Sequence, residues 1–252
     1  MKLDHLEVVL VRPETPRNVG SVARACRNFG VERICVVGSA GILADGSARS
    51  TAHACEDILD RIRFVESIQE ALAPHSFAVG TANRVRKGKL PPLELPHQVI
   101  PDLAAATLAG SGALVFGPES RGLTDVELAF CTRLLRVPTQ VDQPSLNLSQ
   151  AVLVVLQECW RHAQGWSAAI PPVAAIGASE TATVASDPAT YAEFDLVLAH
   201  LEALMTRAGF RPYAEDPESF RLAARRSLAR GRFERRDLRT LLTIAKTLGK
   251  LG

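Results

Sequence analysis

Four arginines lie within sixteen residues near the N terminus, at a point where phosphate binding is plausible chemistry. They are Arg12, Arg17, Arg24 and Arg27. The segment follows the apolar run Leu6–Val11, and ligands of open α/β sheets bind beyond the carboxyl ends of the strands. Asn18 is expected to cap the next helix, whose apolar spacing puts Arg24 and Arg27 on the solvent side. The pattern favours phosphate binding, with arginines solvated on an exposed helix face as the alternative.

A glycine-rich segment, Gly117–Thr124, follows a second apolar run. Its spacing approaches that of a P-loop, but Leu123 stands where the phosphate-binding lysine is required, which argues against a P-loop hydrolase. The two glycines still indicate a close backbone approach or a turn with positive φ. The dinucleotide fingerprint G-x-G-x-x-G does not occur, so NAD chemistry is not expected.

Two further polar segments follow apolar runs. Gly80–Lys89 contains a Thr-Ala-Asn turn and then four basic residues within six, which is either a binding loop or a solvated one. Pro144–Gln150 carries Asn147, a good N-cap that Gln150 can reciprocate. Helix capping explains the presence of these two residues, but it gives no role to Ser145, which lies in the same loop.

The polar segments are separated by apolar runs that alternate with helical patterns over the first 165 residues. The runs are Leu6–Val11, Arg33–Val37, Arg63–Val65, Phe77–Gly80, Ala113–Phe116 and Leu134–Val137. Several lack a polar face, which is typical of parallel strands covered on both sides. Helices are predicted after the first run, from Thr124 with a Glu127 capping box, and from Asn147 to about Ala163. The patterns alone predict an α/β domain with a conventional doubly wound parallel sheet.

The charge of the chain is unevenly distributed. The total of 29 basic and 27 acidic residues gives +2, which argues against a nucleic-acid partner, yet residues 211–252 hold 11 basic and 5 acidic residues. Residues 166–189 are predicted to be a linker, followed by helical segments at about 190–208, 217–230 and 234–248. The last two carry Arg221, Arg225, Arg226, Arg230, Arg232, Arg235, Arg236 and Arg239. Such a segment indicates a nucleic-acid partner, unless its arginines are merely solvated.

Other kinds of chemistry find little support. The six histidines are scattered and no Cys/His pair has zinc spacing, so no metal is predicted. Five cysteines without a CxxC pair are expected to be reduced thiols of a cytoplasmic protein. Neither a signal peptide nor a membrane span is predicted. No G-x-S-x-G elbow supports acyl-transfer hydrolysis.

These polar segments, in this order, resemble the SPOUT class of RNA methyltransferases, specifically the TrmH-like 2′-O-ribose branch. The stretches that match are Asn18–Arg24, Leu114–Thr124 and Pro144–Ala151. The C-terminal helices are similar to the extension of branch members that methylate a pyrimidine nucleotide in the tRNA anticodon loop. The resemblance implies that activity, a homodimer, and a SPOUT-type parallel sheet with a C-terminal trefoil knot, a rare exception to un-knotted folds. It also implies a catalytic domain at 1–165 and a basic helical extension at 190–252 that binds RNA or supports the dimer.

The resemblance assigns roles to individual residues. S-adenosylmethionine would be held by Thr81, Ala82, Asn83, Gly117, Val137, Pro144, Ser145 and Leu146. The catalytic set would be Arg24, Glu119, Ser145 and Asn147, with Glu119 and Asn147 organising the site. RNA contacts are expected at Arg12, Arg17, Arg24, Arg84, Arg86, Arg121, Arg225, Arg226, Arg232 and Arg235.

An arginine stays protonated at neutral pH, so Arg24 cannot serve as a general base. We expect it to hold the adjacent phosphate and stabilise the alkoxide that develops on the ribose, while that phosphate, a water or Ser145 takes the proton. Two alternatives remain open, namely ribosomal RNA as the substrate of the same chemistry and a knotted RNA-binding protein that has lost catalysis. The intact catalytic set weighs against the second.

Overall fold

The computed structural model describes residues 1–84, 90–140, 142, 145–166, 187–209, 223–225 and 233–249. Seven parallel strands in these ranges form one sheet, in the order β3-β2-β1-β6-β4-β7-β5. They are β1 Leu6–Val11, β2 Arg33–Val37, β3 Arg63–Val65, β4 Phe77–Thr81, β5 Leu93–Glu94, β6 Gly112–Phe116 and β7 Arg133–Leu135. The sheet therefore brings together the carboxyl ends of β1, β6, β4 and β7, and each of these strands leads into one of the polar segments.

Helices cover both faces of the sheet. They are α1 Pro16–Asn28, α2 Ser47–Ala52, α3 Glu56–Asp60, α4 Ile68–Leu72, α5 Pro96–Ala109, α6 Asp125–Ala129, α7 Leu148–Ala163, α8 Tyr191–Arg207 and α9 Arg235–Leu248. Two short 3-10 helices, Leu3–His5 and Ala40–Leu43, lie among them. Within the described ranges, no helix has the length and apolarity needed to cross a membrane.

Each face of the sheet has its own hydrophobic core. Alternate residues of β1 point to opposite faces, so that Leu6, Val8 and Leu10 join one core while Val9 and Val11 join the other. Helices α1, α5 and α7 pack on the first face, and α4, α6 and the first residue of α8 pack on the second. Burial on both faces explains why five of the six residues of the strand are apolar, and the exception, Glu7, is buried against His75 and Arg63.

The structure confirms the six predicted strands to within two residues at their ends. It adds β5, a pair of residues between Pro92 and Pro96 that is too short to produce an alternating pattern. The helices that begin at Thr124 and Asn147 also have the predicted capping boxes, with Glu127 and Gln150 completing them.

The prediction that Asn18 caps the first helix was wrong. Helix α1 begins two residues earlier, at Pro16, and Thr15 is its N-cap residue. Proline suits the first position of a helix because its φ is already helical and the missing N–H would have no partner there. Asn18 is therefore in the first turn of the helix, and its buried side chain is available for contacts with other loops.

The C-terminal helices are joined to the sheet by buried contacts. Tyr191, at the start of α8, is 1% exposed and lies in the second core, where its hydroxyl is 2.6 Å from Thr132 Oγ1. Helix α8 packs against α9 around a smaller core that includes Phe194 and Leu238. The helices predicted at 190–208 and 234–248 are confirmed. Most of the predicted linker lies outside the described residues. Of the predicted helix 217–230, the structure describes residues 223–225, which are helical.

Candidate active site

The loops after β6, β4 and β7 line a cavity of about 380 Å³ at the carboxyl edge of the sheet, and the loop after β1 adjoins it through hydrogen bonds to Glu119. Its lining includes seven of the predicted cofactor contacts: Thr81, Ala82, Asn83, Gly117, Val137, Ser145 and Leu146. Pro144, the eighth, lies outside the described residues. Phe116, Leu135 and Leu148 add apolar walls. Residues from distant parts of the sequence thus meet in one cavity of a size that suits a small organic ligand.

The wall formed by Gly117–Leu123 is tightly folded. Gly122 has a φ of +68°, and its N–H donates to Pro118 O at 2.8 Å. A Cβ at Gly117 would overlap the backbone of Gly122 and Leu123. Both glycines are therefore required by the turn itself. The side chain of Leu123, at the position of a P-loop lysine, is an anchor in the second core and is 9% exposed.

Glu119 holds the loops after β1 and β6 together. Its Oε1 accepts hydrogen bonds from Asn18 Nδ2 at 2.7 Å and from the Thr15 N–H at 3.1 Å, and its Oε2 accepts from the Glu14 N–H at 2.9 Å. Partial burial raises the pKa of Glu119, but these hydrogen bonds, led by the one from Asn18, outweigh burial and hold the pKa below its ordinary value. Glu119 is thus an ionised acceptor that organises the loops, and it is not a proton donor at neutral pH.

Asn18 extends this network to the loop that precedes α7. Its Oδ1 accepts a hydrogen bond from Asn147 Nδ2 at 3.1 Å, while Asn147 Oδ1 caps α7 by accepting from the Ser149 N–H at 2.9 Å. The chain Glu119–Asn18–Asn147 therefore connects three of the four loops. Asn18 is the organising residue that the sequence-based site omitted, although it begins one of the matched stretches.

Arg24 lies apart from the cavity lining. It is on the exposed face of α1, and no hydrogen bond or ion pair joins its guanidinium to any residue that the structure describes. Ser145, by contrast, lines the cavity directly. Within one chain the structure therefore brings together Glu119, Ser145 and Asn147 and leaves Arg24 on an adjacent surface.

The other predicted RNA-contacting arginines differ in their surroundings. Arg84 and Arg121 line the cavity, and Arg17 is exposed on the first turn of α1. Arg12 pairs with Glu127, and Arg235 is 3.3 Å from Asp187 and 3.2 Å from Glu193. Arg86, Arg226 and Arg232 lie outside the described residues.

The prediction that Arg225 contacts RNA is corrected by its burial. The residue is 5% exposed, and its guanidinium carbon lies 4.5 Å from the ring centre of Phe130 and 5.1 Å from that of Tyr191. Its Nη2 is 3.3 Å from Asp195 Oδ2. A guanidinium enclosed by two rings packs the extension against the sheet domain and is not presented to a phosphate.

Within the described ranges the cysteines are unreactive, and no cluster of potential metal ligands is found. All five cysteines are free and buried, and burial raises the pKa of Cys131 and of Cys159 to about 12. Thiols in such surroundings are inert. In the same ranges, no group of three or more His, Cys, Asp or Glu side chains is arranged to hold a metal ion.

The sequence that forms this sheet and the site at its carboxyl edge is similar to a known family of methylases. Residues 5–157 match the model of the SpoU rRNA Methylase family, and the chain belongs to that family. It is 34% identical over 219 residues to the tRNA (cytidine/uridine/adenosine-2′-O-)-methyltransferase TrmJ of Pseudomonas aeruginosa (strain UCBPP-PA14), an alignment that covers 86% of this chain and 81% of that protein.

Solved structures show the same likeness. The crystal structure of TrmJ from Z. mobilis ZM4 matches with a TM-score of 0.78 and 25% identity, over 96% of this chain and 98% of that chain. A structure from work on the 2-OH methylation of C/U34 on tRNA matches with a TM-score of 0.51 and 26% identity, over 65% of this chain and 99% of that chain. The similarity to the first includes the C-terminal helices.

Proposed function

We propose that this protein transfers a methyl group from S-adenosylmethionine to the ribose 2′-hydroxyl of a pyrimidine nucleotide in the tRNA anticodon loop. The observation that carries the proposal is the cavity at the carboxyl edge of the sheet, whose loops are joined through Glu119, Asn18 and Asn147. The similarity to TrmJ over 86% of the chain supports tRNA as the substrate, and the C/U34 structure supports the anticodon loop.

The residues present fit the proposed cofactor. The apolar walls from Phe116, Leu135 and Leu148 suit a nucleoside, and the polar groups of Thr81 and Ser145 suit its hydrogen-bonding edges. The Glu119 carboxylate, kept ionised by its donors, favours a cationic ligand at the same wall. When bound, S-adenosylmethionine supplies a methyl group activated by its sulfonium charge.

The chemistry asked of the protein is to bind the ribose, orient it and stabilise the charge that develops on its oxygen. Arg24 performs the last task by holding the adjacent phosphate and facing the alkoxide as it forms. The proton leaves to that phosphate, to a water or to Ser145 Oγ. Loss of one such donor costs about 3–4 kcal/mol of barrier, by analogy with oxyanion holes.

The proposal includes a homodimer, since Arg24 lies outside the cavity lining of its own chain. Leu153 and Val154 on α7 are 41% and 38% exposed, and α7 packs beside α1, so an apolar surface adjoins the helix that carries Arg24.

The trefoil knot is proposed on the family likeness and on the position of β4 between β6 and β7. The extension at 190–252 is proposed to bind tRNA, and the protein to act in the cytoplasm.

Methyl transfer to defined RNAs tests the function. The protein is incubated with labelled S-adenosylmethionine and either unmodified tRNA or unmodified ribosomal RNA, and the methylated nucleosides are mapped by mass spectrometry. We expect one 2′-O-methylated pyrimidine nucleotide in the anticodon loop. Methylation of ribosomal RNA alone would change the substrate, and binding of tRNA without methyl transfer would indicate an RNA-binding protein that has lost catalysis.

A further inference from the structure

Glu127 is a buried acid close to the cavity to which the proposed chemistry gives no role. It is 6% exposed and lies in the first turn of α6, directly after the Gly117–Leu123 wall. Its Oε2 accepts a hydrogen bond from the Thr124 N–H at 2.7 Å, and its Oε1 accepts one from Arg12 Nη2. A carboxylate in such a place requires both a charged partner and hydrogen bonds.

Arg12 is held in an unusual backbone conformation at the end of β1. Its φ is +47°, a region that residues other than glycine seldom adopt, and its N–H donates to Val37 O at 2.8 Å. A positive φ at a residue other than glycine is kept only where the surrounding contacts hold the backbone in that conformation. The side chain is 46% exposed and reaches across to Glu127.

The same short segment holds the glycine-rich wall at a second point. Glu14 Oε1 accepts a hydrogen bond from Ser120 Oγ at 2.5 Å, and Glu14 Oε2 accepts one from the Ser120 N–H at 3.2 Å. In the opposite direction, Glu119 in the wall accepts a hydrogen bond from the Glu14 N–H. Glu14 thus contacts the wall directly at Ser120, while Arg12 contacts Glu127 in the helix that follows the wall.

We propose that Arg12 is a positioning residue for the cofactor cavity, acting through Glu127 on the Gly117–Leu123 wall. The inference rests on the proposed function, because the ligand of that cavity is taken to be S-adenosylmethionine. It replaces the expectation that Arg12 contacts RNA. Without the guanidinium, the Glu127 carboxylate lacks its charged partner, and the start of α6 shifts together with the wall that precedes it.

Four variants and a matched control test the proposal. They are Arg12→Gln, Arg12→Lys, Glu127→Gln, the double variant Arg12→Gln/Glu127→Gln, and the control Arg49→Gln, which removes an exposed arginine of α2 that pairs with Asp60 and does not line the cavity. The Kd of S-adenosylmethionine is measured by calorimetry, the affinity for tRNA by filter binding, and the amide hydrogen exchange of residues 117–123 by mass spectrometry.

We expect Arg12→Gln to raise the cofactor Kd about tenfold, the usual effect of losing a charged hydrogen bond, and to speed exchange in the wall. Arg12→Lys recovers part of the affinity because it restores a charge opposite Glu127. The double variant loses less cofactor affinity than the sum of the losses in the two single variants, because it removes both charges and leaves neither one without its partner. Arg49→Gln leaves the cofactor Kd, the tRNA affinity and the exchange of the wall unchanged.

Two results of the binding measurements would overturn the inference. One is an unchanged cofactor Kd in Arg12→Gln together with weaker tRNA binding, which would make Arg12 an RNA contact. The other is strict additivity in the double variant. If the wild-type protein bound no S-adenosylmethionine, the proposed function would fail on its own. Hydrogen exchange would still decide whether Arg12 holds the wall, since unchanged exchange in Arg12→Gln refutes it without any ligand.

Discussion

Arg225 is expected to stabilise the fold and to make no contact with RNA. Replacing it distinguishes a role in stability from a role in RNA binding. The guanidinium faces the rings of Phe130 and Tyr191 and pairs with Asp195. A desolvated cation over an aromatic ring contributes roughly 1–2 kcal/mol, so two rings and the ion pair suggest about 2–4 kcal/mol lost in Arg225→Ala. For a chain of this size, that loss lowers the melting temperature by roughly 4–16 °C.

The assay combines thermal unfolding with tRNA binding at several salt concentrations. Each lost phosphate contact reduces the slope of log affinity against log salt by about 1. We expect Arg225→Ala to lower the melting temperature and leave this slope unchanged. Arg225→Met, which keeps much of the apolar volume between the rings, should destabilise less.

Arg121→Gln is the matched control, because Arg121 lines the mouth of the proposed active site. It should reduce the salt slope by about 1 and change the free energy of unfolding by less than about 0.5 kcal/mol. The reasoning is refuted if Arg225→Ala shows the behaviour expected of Arg121→Gln, that is, a shallower slope with an unchanged melting temperature.

Three further predictions concern catalysis, the cavity and acid stability. Arg24→Ala should lower kcat about 100–1000-fold and leave the cofactor Kd unchanged, and near wild-type turnover would exclude its catalytic role. Gly117→Ala should displace the cavity wall at a cost of about 1–3 kcal/mol and weaken cofactor binding in calorimetry, whereas Gly41→Ala, away from the cavity, should not. Burial raises the pKa of Glu7, but hydrogen bonds from His75 and Arg63 outweigh it and hold the pKa below its ordinary value of 4.5. Its contribution to stability is therefore present above pH 4.5 and lost as the pH falls through the depressed value, so urea titrations of Glu7→Gln should show a weaker acid dependence than wild type.

The sequence predicted the elements that have strong local signals. Runs such as Leu6–Val11, apolar at five of six positions, are buried on both faces, and the capping boxes at Thr124 and Asn147 mark helix starts through contacts between residues three apart. The pair Leu93–Glu94 carries no such signal, because its place in the sheet depends on pairing with β7. The predicted position of Asn18 failed because Pro16 competed for the same helix start.

The candidate site was predicted in part because the matched stretches fall at the ends of neighbouring strands. Strand order is a long-range property, and only the structure shows that β1, β6, β4 and β7 are adjacent. Side-chain partners are equally non-local. Arg12 and Arg225 have the same chemistry in the sequence, yet one reaches a buried acid and the other is enclosed by two rings. Each environment depends on residues far away in the sequence, and Glu127 is 115 positions from Arg12.

The burial of Tyr191 determines where this protein can be divided. Tyr191, which follows the predicted linker, completes the hydrophobic core on the second face of the sheet. A fragment that stops before α8 therefore exposes part of that core. Chimeric enzymes that exchange C-terminal helices between relatives therefore need their junction after the first turns of α8. A junction within residues 166–189 would import a foreign residue into the sheet domain, and a change in RNA preference would be confounded with poor folding.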